Sequence, residues 1–200
     1  MRPLIFMCVL LLYGCVGSNT PSQNERVVPS NSKRIALTFD DGPRGSGPKF
    51  AGDERAEALI EALALSSGQP AAFFIKTSNF KKQGGRQRIQ RYAEAGHLIA
   101  NHTHSHNWLS RTDANEYIAD IDQAEELLRG FTNRRPWFRF PYLDEGREIN
   151  KRDDVQKALA SRKLFNAYVT VDNYDWYIER KWQDAVKDGK SVDMQALQTV

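Results

Sequence analysis

Two adjacent carboxylates, Asp40 and Asp41, follow the apolar run Ile35-Ala36-Leu37 and are closed by Gly42-Pro43. A turn of this kind sets acids at the C-terminal end of a strand, where α/β enzymes keep their chemistry. Further along, His102-Thr103-His104-Ser105-His106 offers two imidazoles at i and i+4, His102 and His106. That separation lets both rings reach one metal ion from a tight loop or a single helical turn. One Asp with two His is the donor set of a metal hydrolase, and the neighbouring carboxylate is left to accept a proton. The third imidazole, His104, is read as standing apart from this pair. Three of the four histidines fall within these five residues, which weighs toward a metal site over scattered surface imidazoles; His97, beside Gly96, reads as structural.

Two further clusters carry reactive side chains, Arg139-Phe140-Pro141-Tyr142 and Asp172 to Trp176. Taken singly, each motif has an ordinary reading. Asp-Asp-Gly-Pro is a common turn, Arg139 to Tyr142 an edge strand ended by proline, and Asp175-Trp176 a helix cap with a core aromatic.

Elements that could bring these groups together are legible as hydrophobic pattern. Apolar runs predict strands over residues 33–39, 71–75, 98–101, 137–140 and 166–171. Helical spacing predicts a helix from Asp53, carried by Ala56, Leu59, Ile60, Leu63 and Ala64, and others over 85–96, 113–129 and 150–162. The 113–129 segment shows the clearest stripe, Tyr117, Ile118, Ile121, Ala124, Leu127 and Leu128, stopped by Gly130. Strand and helix alternate, so the pattern builds βα units and a parallel, barrel-like sheet. Each loaded motif follows a strand, and the four would meet on one rim.

With 200 residues, 40% hydrophobic and 26% charged, the chain suits one globular domain. A net charge of +3 without a basic block makes nucleic acid a poor partner. The apolar run from Leu4 to Tyr13 is too short to span a bilayer and fits an export signal. Leu12-Tyr13-Gly14-Cys15 resembles a lipoprotein processing site. Residues 1–14 are therefore expected to be a signal peptide, Cys15 the lipidated first mature residue, 15–32 a flexible tether to a membrane, and 33–200 the folded domain. Both cysteines, Cys8 and Cys15, lie in this leader, so the domain is expected to stand without a disulfide.

In this order the four motifs resemble the polysaccharide deacetylases with a NodB-homology domain, carbohydrate esterase family 4. Thr38 to Pro43 matches that family's Thr-Phe-Asp-Asp-Gly-Pro at every position. His102, Thr103 and His106 match its His-Ser/Thr-x-x-His; Arg139, Pro141 and Tyr142 its Arg-x-Pro-Tyr; Asp172, Asp175 and Trp176 its Asp-x-x-Asp-Trp. The resemblance implies a deformed (β/α) barrel and a divalent metal, usually zinc, held by Asp41, His102 and His106. It implies Asp40 as general base, oriented by Arg139, acting on a water whose acidity the metal has raised. The backbone N–H of Tyr142 would steady the oxyanion of the attacked acetyl carbonyl. Pro141, Tyr142 and Trp176 would line the substrate pocket, and Asp175 would orient a histidine that protonates the leaving group. The implied activity is removal of acetyl groups from N-acetylated polysaccharide by an exported, periplasmic or cell-envelope lipoprotein. Peptidoglycan, exopolysaccharide and chitin are the implied substrate class. Rivals are an O-acetyl sugar esterase or a cyclic-amide hydrolase of the same fold, and a silent sugar-binding module.

Against the family pattern, no histidine follows His106, so the closing Leu-His motif has no match. Only about five strands can be counted where such a barrel needs more, so the C-terminal strands are expected to be missing from this chain. Leu143 stands where Gly is common, and the 44–52 loop is extended; both concern the rim of the groove.

Overall fold

In the computed structural model, which describes residues 33–66 and 68–197, strand and helix alternate as the pattern predicts. The elements are β1 (Thr38–Gly42), α1 (Gly52–Ser66), β2 (Ala72–Ile75), α2 (Gly85–Glu94), β3 (Leu98–Asn101), α3 (Ala114–Leu128), β4 (Arg134–Phe138), α4 (Ile149–Ser161), β5 (Phe165–Asn166) and α5 (Asp175–Lys187), followed by a one-turn helix, Met194–Leu197. The signal peptide, Cys15 and the tether expected over 1–32 lie outside the described residues. Lys33 to Ile35 are exposed and fall outside the compact unit that begins at Ala36. Among the described residues no helix is long and apolar enough to cross a membrane.

All five strands run parallel in the order β1-β2-β3-β4-β5. Each strand lies beside its predecessor, the arrangement successive βα units produce. The period of two along a strand sorts the side chains onto two faces. Phe73, Ile75 and Ile99 point to one face, where Ala56 and Leu63 of α1, Ile89 and Tyr92 of α2 and Leu128 of α3 cover them. Further along the same layer, Tyr117 and Ile121 of α3 and Val155 and Leu159 of α4 pack with Phe138. Ala72, Phe74 and Ala100 point the other way, and the hydrophobic side chains packed against them, Leu98, Trp137 and Ala167, are none of them helical. Helices on one face and strand side chains alone on the other is how a (β/α) barrel divides its layers, whereas a doubly wound sheet has helices on both. The sheet of the described residues is open, as the short strand count anticipates.

Three strand boundaries differ from the sequence expectation, each set by where a neighbouring strand lies opposite. The first strand is Thr38–Gly42 rather than 33–39: β2 begins at Ala72 opposite Thr38, so residues before Leu37 have no neighbour to bond. The fourth is Arg134–Phe138 rather than 137–140, because its register with β3 runs from Ile99↔Arg134 to Asn101↔Phe138. The fifth is two residues long rather than 166–171, since β4 stops at Phe138 before the chain turns at Pro141. Beyond Asn166, Tyr168 and Val171 are exposed. Helix α5 was not foreseen; Ile178, Trp182 and Val186, spaced four apart, are the signal that could have found it.

Candidate metal centre and active site

The reactive side chains sit where β1, β3 and β4 end. β1 carries Asp40 and Asp41, β3 runs through Asn101 into His102, and β4 runs through Phe138 into Arg139. β3 and β4 are neighbours and β1 is separated from β3 by β2, and because all run parallel their C-terminal ends share one edge of the sheet.

His106 Nε2 lies 2.8 Å from Asp41 Oδ1, and His102 Nε2 lies 3.7 Å from the same oxygen. One donor atom from each of the three residues falls within 4.8 Å of the others. Asp41 Oδ1 is buried without a directed hydrogen bond, although an imidazole nitrogen is so close. His102 is 1% exposed, and its Nδ1 stands 2.8 Å from the carbonyl oxygen of Arg139. A carbonyl can only accept, so Nδ1 carries the proton and Nε2 presents its lone pair toward Asp41. Burial holds the His102 imidazole below its ordinary pKa, which keeps it neutral. Burial pushes Asp41 up, but the imidazoles of His106 and His102 and the Arg44 guanidinium outweigh it and leave its pKa at about 2. An ionised carboxylate and two imidazole nitrogens around one point, with an orphaned oxygen facing it, fit a divalent cation.

Asp40 stands beside this cluster. Arg139, 3% exposed, donates from Nη1 to Asp40 Oδ1 at 2.6 Å and to Thr38 Oγ1 at 2.8 Å, and from Nε to the Ala167 carbonyl at 3.0 Å. Its guanidinium lies on the Phe74 ring, 3.8 Å from the centroid, so it is fixed from several sides. The other carboxylate oxygen, Oδ2, faces His102 Nε2 at 3.8 Å.

The loops are held in costly shapes. Asp41, Thr103, His106, Tyr142 and Leu143 account for five of the seven non-glycine residues with positive φ among those described. Each such residue costs of order 1–3 kcal/mol, and such strain gathers at functional sites. Buried Asn101 accepts the Thr103 N–H at 2.7 Å, Thr103 Oγ1 accepts the His106 N–H at 2.9 Å, and Asp120 of α3 accepts the N–H groups of His104 and Ser105. Sequence reasoning passed over Asn101 and Asp120. A lone amide at the end of a buried strand was the available signal for Asn101; Asp120 gave none. His104 turns away from the centre, with Nδ1 against Thr77 Oγ1 at 2.9 Å.

The remaining residues singled out in the sequence are placed unevenly. Pro141 is buried, and Tyr142 is half exposed with its ring 4.5 Å from that of His106. Asp175 is the first residue of α5 rather than its cap, which is Tyr174; its carboxylate accepts the Trp176 N–H at 2.8 Å, and it lines a cavity of about 440 Å³ with Phe50, Arg55 and Trp182. Trp176 is half exposed and meets Tyr174, Tyr177 and Arg180. Neither makes a hydrogen bond, ion pair or ring contact with Asp41, His102, His106 or Tyr142 among the described residues. His97, the one histidine outside the cluster, is buried, its Nδ1 accepting the Ala71 N–H at 3.2 Å.

Known proteins resemble this chain in sequence and fold. The chain is 34% identical over 148 residues to a peptidoglycan-N-acetylglucosamine deacetylase of Bacillus cereus, covering 74% of this chain and 48% of that protein. It is 27% identical over 165 residues to a chitin deacetylase of Arthroderma benhamiae, covering 80% of this chain and 38% of that one. It thus spans about half the length, or less, of these curated relatives. A solved family 4 carbohydrate esterase from Streptomyces lividans, in complex with acetate, superposes with a TM-score of 0.56 at 25% identity over 72% of this chain and 66% of that one. The sequence profile of polysaccharide deacetylases matches residues 28–160, more than half of the chain. On that match and this fold, the chain belongs to the polysaccharide deacetylase family.

Proposed function

We propose that this chain belongs to a metal-dependent hydrolase that removes acetyl groups from N-acetylated cell-envelope or extracellular polysaccharide. The observation that carries the reading is the pairing of two groups at adjacent residues. Asp41 converges with His102 and His106 on one point, while Asp40 is turned beside them and held by Arg139. The relatives named as peptidoglycan and chitin deacetylases supply the substrate class.

Asp41, His102 and His106 would hold the cation, with zinc the natural match to two imidazoles and a carboxylate. When bound, it supplies positive charge that raises the acidity of a water and polarises a carbonyl. Asp40 is the general base: Oδ1 is taken by Arg139, leaving Oδ2 on the cluster side to accept a proton. Arg139 aims that carboxylate. The Tyr142 N–H makes no hydrogen bond among the described residues and is free to donate to a developing oxyanion. Tyr142 and Pro141 would wall the acetyl site, with Trp176 closing it and Asp175 orienting the group that protonates the leaving amine. For a substrate outside the cytoplasm, residues 1–14 would direct export, and a lipid on Cys15 would anchor the domain through the 15–32 tether.

Acetate release from an N-acetylated chito-oligosaccharide by the full-length protein loaded with zinc tests this reading. Release confirms it. Binding of the sugar without acetate would identify a silent binding module, and release from O-acetylated xylan alone would make the protein an esterase.

A further inference from the structure

Tyr142 and Leu143 take up consecutive left-handed conformations, φ 59° and 54°, and the Tyr142 N–H makes no hydrogen bond among the described residues that could hold it there. Turn hydrogen bonds bracket it, Leu143 N–H to the Phe140 carbonyl at 3.0 Å and Asp144 N–H to the Pro141 carbonyl at 3.1 Å, and the Tyr142 side chain adds a second hold from another loop. The ring lies flat on Trp108, centroids 3.9 Å apart and planes 4° from parallel, and its edge meets His106 at 4.5 Å. The Arg111 guanidinium lies over the Trp108 ring at 5.0 Å from its centroid. Trp108 is itself anchored: Leu109 is fully buried, Thr112 Oγ1 donates to the Trp108 carbonyl at 2.8 Å, and the Ser110 N–H donates to Asp144 Oδ2 at 2.8 Å. That last bond ties the turn after His106 to the turn that carries Tyr142.

We propose that Trp108 is a positioning residue of the active site. It clamps the Tyr142 ring, and through it the left-handed Tyr142 backbone whose N–H is offered to the substrate carbonyl. The inference rests on the deacetylase reading for that N–H. Trp108 already carries the Tyr142 ring stacked on it and the Arg111 guanidinium over it, and Tyr142, half exposed, is the surface a sugar meets.

The test compares full-length wild type with Trp108→Ala and Trp108→Phe. It reads zinc affinity by competition with a chromogenic chelator, kcat and KM for acetate release from a chito-oligosaccharide, and the crystal structure of Trp108→Ala. The inference expects kcat to fall about 10- to 100-fold in Trp108→Ala, the scale on which misplaced groups cost rate, with KM and zinc affinity within about twofold. Trp108→Phe, which keeps a flat ring, should recover most of the loss. An unchanged kcat, a rise in KM alone, or a parallel loss of zinc would overturn the assignment. If wild type releases no acetate, the deacetylase reading falls, and the structural arm still decides the clamp. Tyr142 leaving the left-handed region in Trp108→Ala supports it; Tyr142 unmoved overturns it. Should Trp108→Ala fail to fold, Trp108→Leu, which keeps bulk without the ring, is put through the same measurements.

Discussion

The ends of β1, β3 and β4 and the segment from β5 through α5 carry motif residues of equal chemical weight, yet the fold treats them differently. Around Asp41 and His102, each reactive group is set by a strand end and a second partner: the Arg139 carbonyl for His102, Arg139 itself for Asp40. Helix α5, which presents Asp175 and Trp176, has no buried residue. It is tied back through Glu179, which accepts from Arg44 at 2.7 Å and also bonds Arg55. These side chains are partly exposed, and such ion pairs contribute little. A motif is held only as firmly as the element carrying it is packed, so the strand-end half of this site is preorganised and the helical half is not.

The sharpest way to break this contrast is at the strand ends. His102→Ala should abolish both zinc binding and turnover, whereas Asp40→Asn should cost roughly 10²–10⁴ in kcat with zinc still bound. Zinc titration beside acetate release separates them, and equal metal loss in both would mean the base and ligand roles are misassigned. Arg139→Met should destabilise the domain by about 2–3 kcal/mol in urea unfolding, since charged hydrogen bonds to Asp40, Thr38 and Ala167 go together; an unaffected midpoint would show that this end is not preorganised.

Acid should loosen the β2–β3 layer through His97. Burial lowers its pKa below the ordinary value, and its Nδ1 accepts the Ala71 N–H. The stability it lends is therefore full above the unfolded pKa of about 6.5 and lost as pH falls below it, because the unfolded chain takes up a proton that the folded one resists. Thermal unfolding at pH 7.5 and 5.5 should show the drop. His97→Asn, which keeps an acceptor and does not titrate, should flatten it, and an equally steep pH dependence in that variant would assign the loss elsewhere. The smallest effect is expected at α5. Glu179→Ala should cost no more than about 1 kcal/mol and leave zinc affinity unchanged; a fall in that affinity would show that the helix supports the metal centre after all.

Most of the site was legible because its residues fall in short contiguous motifs whose spacing survives any fold. Asp40 with Asp41, and His102 with His106, need only a strand end and a tight loop to meet. His104 is turned away for a reason only the structure shows: the segment is a loop bent at left-handed Thr103 and His106, which sends His104 to Thr77, whereas in an extended strand residues 102, 104 and 106 would share one face. Helices α1 to α4 were legible from periodicity, since burying one face demands it. Trp108 was invisible by the same logic. Its role comes from stacking on Tyr142, a residue of a different loop, and no local pattern records a partner so distant in the chain.

The amino-acid sequence by itself determined the donor set, the alternation of strand and helix, and the family to which the motifs point, because donor chemistry and hydrophobic period are local properties. Only the tertiary structure decided where strands begin and end, since a backbone pairs only where a neighbouring strand lies opposite, as Ala72 does for Thr38. It also decided which tautomer His102 adopts, through a carbonyl that can only accept, and how Tyr142 is held, through a ring packed against it from another loop. Each of these depends on atoms far apart in the chain that folding alone brings within a few ångströms.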